Sequence, residues 1–214
     1  MRKIPTPLSI IRFCKNKVLS NIRISLSKVY VLKILKLSND ISIISNNCVG
    51  GVLYHDLGWK FLSPTINGFF MADDYLKYLH DLQYYNSLDV SAETDSSRGN
   101  TVLLKMGDIN IHFIHDTDPD KVISDWYRRR ERINLDKIFV IASDRDGWNN
   151  ETMDLFRLLP YKKCFFTVNK MWKDEPFSIY FRRYFHEPVF PNVISSRGYY
   201  ISQKIFKLMR SVNE

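Results

Sequence analysis

Short apolar runs alternate with amphipathic segments along most of this chain. Runs typical of core strands occur at 41–45, 66–71, 101–106, 109–115, 138–142, 164–168 and 178–181. Apolar residues at three- and four-residue spacing predict helices at 7–37, 51–57, 73–85, 118–133 and 150–160, and a basic helix after 198. Gly107-Asp108 joins two of the strand-like runs as a hairpin, and the polar stretch 86–100 is predicted to be a surface loop.

This alternation predicts an α/β layered fold with a mixed, mostly parallel sheet flanked by helices. The N-terminal part differs from the rest because its apolar residues are interleaved with lysine and arginine. We therefore expect a basic amphipathic helical extension at residues 1–37 and a single α/β domain at residues 38–214.

The net charge of +8 is concentrated in that extension, since no acidic residue precedes Asp40. Three explanations fit this pattern: an anionic membrane surface, nucleic acid, or an ordinary helix packed on the core. No zinc-finger, RRM or KH signature supports a nucleic-acid partner. The extension is too often interrupted by charge to be a signal peptide or a membrane span. Three cysteines, an odd and sparse set, favour a reducing compartment. We expect a cytoplasmic protein, peripheral at the inner membrane.

The candidate chemistry begins where the first apolar run stops. Asn46, Asn47 and Cys48 follow the predicted strand, and Gly50 and Gly51 open the next helix, so a thiol lies at a strand-to-helix corner. The loop after a strand is where open α/β sheets usually bind ligands. A helix dipole can lower the pKa of a thiol at its N-terminus. A small buried structural cysteine would leave the same pattern, so both interpretations stay open.

Histidines are the natural partners for this thiol. His55 lies two helical turns, about 10 Å, beyond Cys48, so direct contact requires a kink or a bridging substrate. His112 and His115 point to opposite faces of one predicted strand because their spacing is odd. His115 stands at the carboxyl end of that strand and is the one expected to face a ligand. A structural role is the alternative for each histidine.

A second candidate lies after the buried strand 138–142. Asp144 and Asp146 have the chemistry to bind a divalent metal, orient an acceptor hydroxyl or act as a base. Arg145 has the geometry to pair with phosphate or carboxylate. A capping turn in which the two acids pair with the one base is the structural alternative, and the pattern is too short to predict a metal site.

A third candidate is the arginine cluster late in the predicted helix 118–133. Arg129 and Arg132 belong to it. Cations at this end of a helix complement the helix dipole, which is the structural explanation. The functional alternative is binding of a pyrophosphate or another anionic group.

Several of these segments, taken in order, resemble a bacterial exopolysaccharide and capsule biosynthesis family that is catalogued as a domain of unknown function. The segments are Ile44-Ser-Asn-Asn-Cys-Val-Gly-Gly51, Tyr54-His-Asp-Leu-Gly58, Ser63-Pro-Thr65, Ile111-His-Phe-Ile-His115, Trp126 with Arg129, Arg132 and Asn134, and Asp144-Arg-Asp-Gly147. The resemblance covers roughly residues 40–180, and Val49 departs from it where tryptophan is expected. It implies an α/β fold and a role in assembling surface polysaccharide, with acyl transfer as the activity suggested for members.

The favoured hypothesis is an O-acetyltransferase, or acyltransferase, that modifies a polysaccharide or lipid-linked sugar precursor with acetyl-CoA as donor. Cys48 would take the acyl group and His55 or His115 would act as base. Asn46, Asn47 and the backbone N–H groups of the two glycines would stabilise the oxyanion.

Two alternatives belong to other classes. In a glycosyltransferase that uses a nucleotide sugar, Asp144 and Asp146 would hold a divalent metal or activate the acceptor, and the arginines would hold the diphosphate. In a non-catalytic partner of the polysaccharide assembly machinery, residues 1–37 would anchor the protein at the inner leaflet.

Overall fold

The computed structural model describes residues 18–19, 21–22, 24–26, 28–191 and 203–212. Residues 1–17 of the predicted extension, including Cys14, lie outside these ranges. So does the start of the C-terminal helix that was predicted after residue 198. The strands of the described part are β1 (Ser42–Ser45), β2 (Ser91–Asp95), β3 (Thr101–Met106), β4 (Ile109–Phe113), β5 (Ile138–Ser143), β6 (Lys162–Thr167) and β7 (Ser178–Tyr180).

Two sheets are built from these strands. The first has the order β1-β5-β6-β7, and every pairing in it is parallel. The second has the order β2-β3-β4 and is antiparallel, with the β3–β4 hairpin turning where it was expected. The prediction of a layered α/β fold with a mostly parallel sheet flanked by helices is confirmed. The hairpin strands β3 and β4 pair with each other, and β3 also pairs with β2, so these three strands form a separate sheet.

The helices are α1 (Val49–Leu57), α2 (Ala72–His80), α3 (Leu82–Ser87), α4 (Pro119–Arg130), α5 (Asn150–Leu158) and α6 (Gln203–Arg210). Local caps set several of their ends. The Asp118 carboxylate accepts from the backbone N–H of Lys121 at 3.2 Å, as its position before Pro119 predicts. Helix 73–85 was predicted as one element, but Asp81 leaves helical geometry and its side chain caps α3.

Apolar side chains bury both faces of the parallel sheet. One face carries Ile43, Phe139 and Ile141, which pack with α1 and α6. The opposite face carries Ile44 and Val140, among others, and packs with α2, α4, α5 and the antiparallel sheet. A sheet covered on both faces is the usual environment of parallel strands, and it leaves the carboxyl edge of the sheet as the place where polar turns collect.

The N-terminal helix is described in part and ends in a π-helical turn, Tyr30–Ile34. Val31 and Leu37 are buried in the core that covers one face of the parallel sheet. The last turn of the predicted extension therefore packs on the domain, whereas apolar side chains nearer its start, such as Leu26, are exposed. Among the described residues, no helix is both long and apolar enough to cross a membrane.

Two further segment predictions differ from the structure. The polar stretch 86–100, expected as a loop, contains β2, whose residues pair with β3 from Ser91–Lys105 to Asp95–Thr101. The run 66–71, expected as a strand, makes a single antiparallel bridge between Phe69 and His112. In both segments the backbone partner decided the outcome rather than the apolar pattern.

Candidate functional site

The candidate site lies at the carboxyl edge of the parallel sheet, where the turns after β1 and β5 leave side by side. Asn46 donates its backbone N–H to the carbonyl oxygen of Ile141 at 3.1 Å, and Asp144 donates to that of Phe166 at 3.0 Å. These bonds continue the parallel ladders for one residue beyond the strands. Both turns therefore start from fixed positions.

The turn between β1 and α1 is closed by its own side chains. The Ser45 hydroxyl donates to the carbonyl oxygen of Asn47 at 2.5 Å and accepts from the backbone N–H of Gly50 at 3.1 Å. The Asn47 side chain accepts from the N–H of Val49 at 3.0 Å and donates to the Ser143 hydroxyl at 2.9 Å. The last of these bonds ties the turn to β5.

Gly50 is required by close packing at this turn. A Cβ atom at residue 50 would lie 2.6 Å from the Ser45 hydroxyl oxygen, which two hydrogen bonds hold in place. Gly51, the next residue, faces the Ile66 side chain, 3.2 Å from where its Cβ atom would lie. The N–H of Gly50 is engaged in the turn, so the structure assigns it a shaping role, and the oxyanion role of this segment stays a prediction.

Asn46 is fully buried between the two strands. Its amide nitrogen lies 3.5 Å from the carbonyl oxygen of Ser143, and its backbone carbonyl accepts from the N–H of Phe70 at 3.0 Å. Its side-chain oxygen is buried and has no hydrogen-bond partner among the described residues. A buried acceptor without a partner is uncommon in proteins, and it marks this corner as a place with unused hydrogen-bonding capacity.

Cys48 occupies the N-cap position of α1 and is half-buried. Burial is the largest influence on the thiol and raises its pKa. A hydrogen bond from the residue's own backbone N–H lowers the pKa in part, and the negative charge of Asp146 raises it further. The direction is opposite to that expected from the helix dipole alone. The thiol is therefore protonated at neutral pH, and forming a thiolate requires a base to take its proton.

Asp144 ties together three parts of the sheet edge. Its carboxylate accepts from the Thr167 hydroxyl at 2.7 Å, the backbone N–H of Val168 at 2.8 Å and the backbone N–H of Phe190 at 2.5 Å. The residue is 4% exposed. Both oxygens are occupied by protein donors, so Asp144 acts as a structural clamp in this arrangement. Arg145 also contacts this segment, donating to the carbonyl oxygen of Phe190 at 3.1 Å.

Asp146 has a different environment, although it lies only two positions further on. Its backbone adopts a left-handed conformation, with φ of 61°, and its carbonyl oxygen accepts from the N–H of Ala72 at 2.8 Å. Burial raises the pKa of the Asp146 carboxyl, while Arg145 and Arg98 act in the opposite direction. A partly buried carboxylate with a raised pKa that acts electrostatically on a thiol is a candidate base for it.

Three residues that the sequence analysis did not assign to the site, Arg98, Phe69 and His112, form a group that is linked to Asp146 through the charge of Arg98. Arg98, on the turn after β2, acts electrostatically on both Asp146 and His112 and lies 5.6 Å from the centre of the Phe69 ring. His112 stacks on Phe69 with ring centres 4.7 Å apart. Burial and the Arg98 charge lower the pKa of His112. The bridge between Phe69 and His112 brings the second sheet to this edge, and no local sequence signal marks it.

The two predicted histidine bases lie outside this cluster. His55 is near the end of α1, which runs away from the carboxyl edge, and its side chain is 75% exposed, with Nδ1 3.2 Å from Asp56. His115 lies on the exposed turn after β4. The structure does not bring His55 to Cys48, because about two helical turns separate them along a helix that runs unbroken from residue 49 to 57.

Arg129 serves the interior of α4 and its neighbours. The residue is 8% exposed. Its guanidinium donates to the carbonyl oxygen of Ile66 at 3.2 Å and to the Asp125 carboxylate at 2.9 Å. Arg132, just beyond α4, is half-buried. Neither reaches the turn that carries Cys48 through a described hydrogen bond. In the described ranges, no three His, Cys, Asp or Glu side chains are grouped so as to hold a metal ion.

Two comparisons with known proteins are informative. A Haemophilus influenzae protein that carries the name "Uncharacterized protein" is 35% identical over 135 residues, covering 62% of this chain and 64% of the relative. The chain thus matches just under two thirds of that relative's length. The profile of the family described as Domain of unknown function (DUF1919) matches residues 19–213, nearly the whole chain. The chain therefore belongs to the DUF1919 family.

Proposed function

We propose that this protein is an O-acyltransferase, most concretely an O-acetyltransferase, of bacterial exopolysaccharide or capsule assembly. The observation that carries the proposal is Cys48, a half-buried thiol at the start of α1 under the electrostatic influence of the Asp146 carboxylate. A nucleophilic thiol needs an adjacent group to take its proton, and Asp146 is the candidate base that this edge offers. The sugar acceptor is supported by the resemblance of the segments around both residues to polysaccharide biosynthesis proteins.

The reaction has two balanced halves. In the first, the Cys48 sulfur bonds to the thioester carbon of acetyl-CoA while its proton passes to Asp146; the bond to the coenzyme sulfur breaks, and coenzyme A leaves as a thiol with that proton. In the second, the acceptor hydroxyl gives its proton to Asp146 and bonds to the acyl carbon. The bond to Cys48 breaks, and the proton returns to its sulfur. The raised pKa of the Asp146 carboxyl makes its carboxylate a stronger base, which favours proton transfer from the thiol.

Acyl-enzyme formation tests the proposal directly. The full-length protein is incubated with acetyl-CoA, and free coenzyme A and the intact protein mass are followed. We expect an added acetyl group located on Cys48 by peptide mapping. Cys48→Ala should form none, and Cys14→Ser, which changes a thiol in the basic extension, should behave as the wild type. An unmodified wild type, or undiminished acetyl transfer by Cys48→Ala, overturns the nucleophile assignment.

A nucleotide-sugar glycosyltransferase is the second candidate in the same polysaccharide context. In that reading Asp144 and Asp146 would share a divalent metal. The hydrogen bonds that occupy both Asp144 oxygens favour the acyltransferase over this pair of ligands. A divalent-cation requirement together with transfer from a nucleotide sugar would reverse the preference.

The proposal includes peripheral association with the bacterial inner membrane. The described part of the N-terminal helix exposes Val18, Leu19, Ile22, Leu26 and Val29, each between 42% and 64% accessible. Lysines and arginines interleave with them in the sequence. An apolar face flanked by cations is the arrangement that binds anionic lipid surfaces. Such an anchor would place the enzyme beside a lipid-linked sugar acceptor.

A further inference from the structure

A basic cavity opens at the same edge of the parallel sheet, beyond the candidate site. Its volume is about 450 Å³, and its lining residues are Lys170, Lys173, Tyr180, Arg182 and Phe185. The lysines belong to the 3₁₀ turn after β6 and the arginine to the 3₁₀ turn after β7. Because β6 and β7 are parallel neighbours, these two turns lie side by side.

Buried aromatic side chains hold the two turns in place. Trp172 lies between the two lysines in sequence, is 6% exposed and packs edge-on against Phe165 at 5.6 Å between ring centres. Phe181 precedes Arg182, is 6% exposed and packs against Phe166 at 5.4 Å. The cations therefore project from rigid supports, which reduces the ordering entropy that a ligand must overcome.

The positive charge of this cavity is largely uncompensated. Lys173 lies 3.7 Å from Asp174, whose side chain is 87% exposed, so water and salt leave that pair weak. Within the described part of the chain, no carboxylate is in salt-bridge contact with Lys170 or Arg182. Arginine and lysine together recognise phosphate groups. The Tyr180 and Phe185 rings add surfaces on which a base can stack, and the Lys170 ammonium lies 5.9 Å from the centre of the Phe185 ring.

The distance between this cavity and Cys48 selects the class of ligand. Cys48 follows β1 and Arg182 follows β7, three strand spacings away in the order β1-β5-β6-β7. Three spacings of about 4.8 Å amount to about 14 Å. In a nucleotide sugar, the reacting carbon is bonded directly to a phosphate oxygen, so the phosphates would lie beside the reacting centre. In a coenzyme A thioester, the pantetheine arm separates the acyl carbon from the pyrophosphate.

We infer that this cavity binds the phosphate groups of an acyl-coenzyme A donor, with the pantetheine arm running along the carboxyl edge of the sheet toward Cys48. The choice of donor rests on the proposed acyl transfer, whereas the recognition of phosphate does not. A larger groove of about 910 Å³ lies between α2, α3 and the end of α5. It is lined mainly by apolar side chains, and the one lysine in its lining, Lys77, pairs with Asp108 at 2.7 Å, so it is less suited to phosphate groups.

Binding measurements with three probes test the inference. Inorganic pyrophosphate, coenzyme A and UDP are titrated calorimetrically into the full chain at low ionic strength. The double variant Lys170→Gln/Arg182→Gln removes two cations of the cavity. Lys60→Gln/Lys105→Gln removes the same charge from two exposed lysines elsewhere. We expect the cavity variant to weaken pyrophosphate and coenzyme A binding by about tenfold or more, since charge-assisted hydrogen bonds are lost. The control variant should bind as the wild type does.

The outcomes separate this inference from the proposed function. Tighter binding of coenzyme A than of UDP, lost in the cavity variant and retained in Cys48→Ala, supports it. Failure of all three probes to bind, or equal binding by both double variants, overturns the cavity as a phosphate site without affecting acyl-enzyme formation at Cys48. Tighter binding of UDP through the same two cations overturns the coenzyme A donor and with it the acyltransferase.

Discussion

At the scale of single residues, Asp144 and Asp146 show how backbone direction assigns chemistry. The two carboxylates are two positions apart in one short motif. Asp144 continues the line of β5 and meets three donors, whereas the left-handed conformation of Asp146 turns its side chain away from that cluster. The Asp144 carboxylate is therefore occupied by structural hydrogen bonds, whereas the Asp146 carboxylate keeps its capacity to accept a proton.

Replacing Asp146 with asparagine separates function from stability. Asparagine tolerates the left-handed conformation, so the backbone is retained. Loss of a general base should slow acetyl transfer by about 10²- to 10⁴-fold. Burial raises the folded-state pKa of this carboxyl, so its charged form destabilises the native state above that pKa. Asp146→Asn should therefore melt at a higher temperature than the wild type at pH 7.

The pH dependence provides the internal check on this prediction. As the pH falls through the folded pKa and then the unfolded value, the wild-type carboxyl becomes protonated in both states, and the stability difference should disappear. Thermal melts of both proteins between about pH 2.5 and about pH 8 measure this difference. A variant that is less stable at every pH would show that ion pairing with Arg145 or Arg98 outweighs the cost of burial.

At the scale of elements, the parallel sheet is held at its carboxyl edge by side chains as well as by its ladder. The Asp144 carboxylate connects the end of β5 to the end of β6 and to the segment after β7, through Thr167, Val168 and Phe190. Two of these donors are backbone N–H groups that would be left buried without it. Turns that carry candidate ligand-binding residues depend on this connection for their position.

Removing the clamp should destabilise the protein and loosen the segment near Phe190. Asp144→Ala leaves buried donors unpaired, and the free energy of unfolding should fall by about 3 kcal/mol or more. Asp144→Asn keeps one acceptor oxygen, so its free energy of unfolding should fall by less. Urea denaturation gives both values, and limited proteolysis reports the segment. The exposed Asp136→Ala should change stability by less than about 0.5 kcal/mol. Equal midpoints for Asp144→Ala and Asp136→Ala would contradict the clamp.

At the scale of the whole molecule, the N-terminal helix has two different parts. Val31 and Leu37 lie in the core, so the last turn is an integral part of the domain, whereas the described side chains from Val18 to Val29 are intermediate or exposed. Deleting residues 1–37 would therefore combine unfolding with any loss of membrane binding. Substitutions confined to the exposed face are the informative test.

We predict that the full chain binds anionic vesicles through this face. Leu19→Ser/Ile22→Ser/Leu26→Ser removes three exposed apolar side chains and should weaken binding to phosphatidylglycerol vesicles by at least about tenfold, since each contributes apolar burial in the lipid. Leu135→Ser/Leu155→Ser/Leu158→Ser removes the same number of exposed apolar side chains elsewhere and should not. Vesicle co-sedimentation measures both. Absence of binding by the wild type at low salt would contradict the prediction.

The sequence by itself determined the order and type of most elements. Apolar runs and helical spacing are local properties, so they located β1, β3 to β7, α1, α4 and α5 within a few residues, although they merged α2 and α3 into one helix. Asp118 and Pro119 marked the start of α4 for the same reason. The polar turns at Cys48 and Asp144 were also identified, because a strand followed by polar residues in an α/β protein directs attention to the carboxyl edge.

Only the tertiary structure decided which of these polar residues meet. Strand order placed the turn after β1 beside the turn after β5. The bridge between Phe69 and His112 joined segments far apart in sequence, and pairing with β3 made the polar stretch 91–95 a strand. Burial reversed the expected pKa direction of Cys48. Desolvation, pairing and charge proximity depend on neighbours supplied by the whole chain, and a local pattern does not contain them.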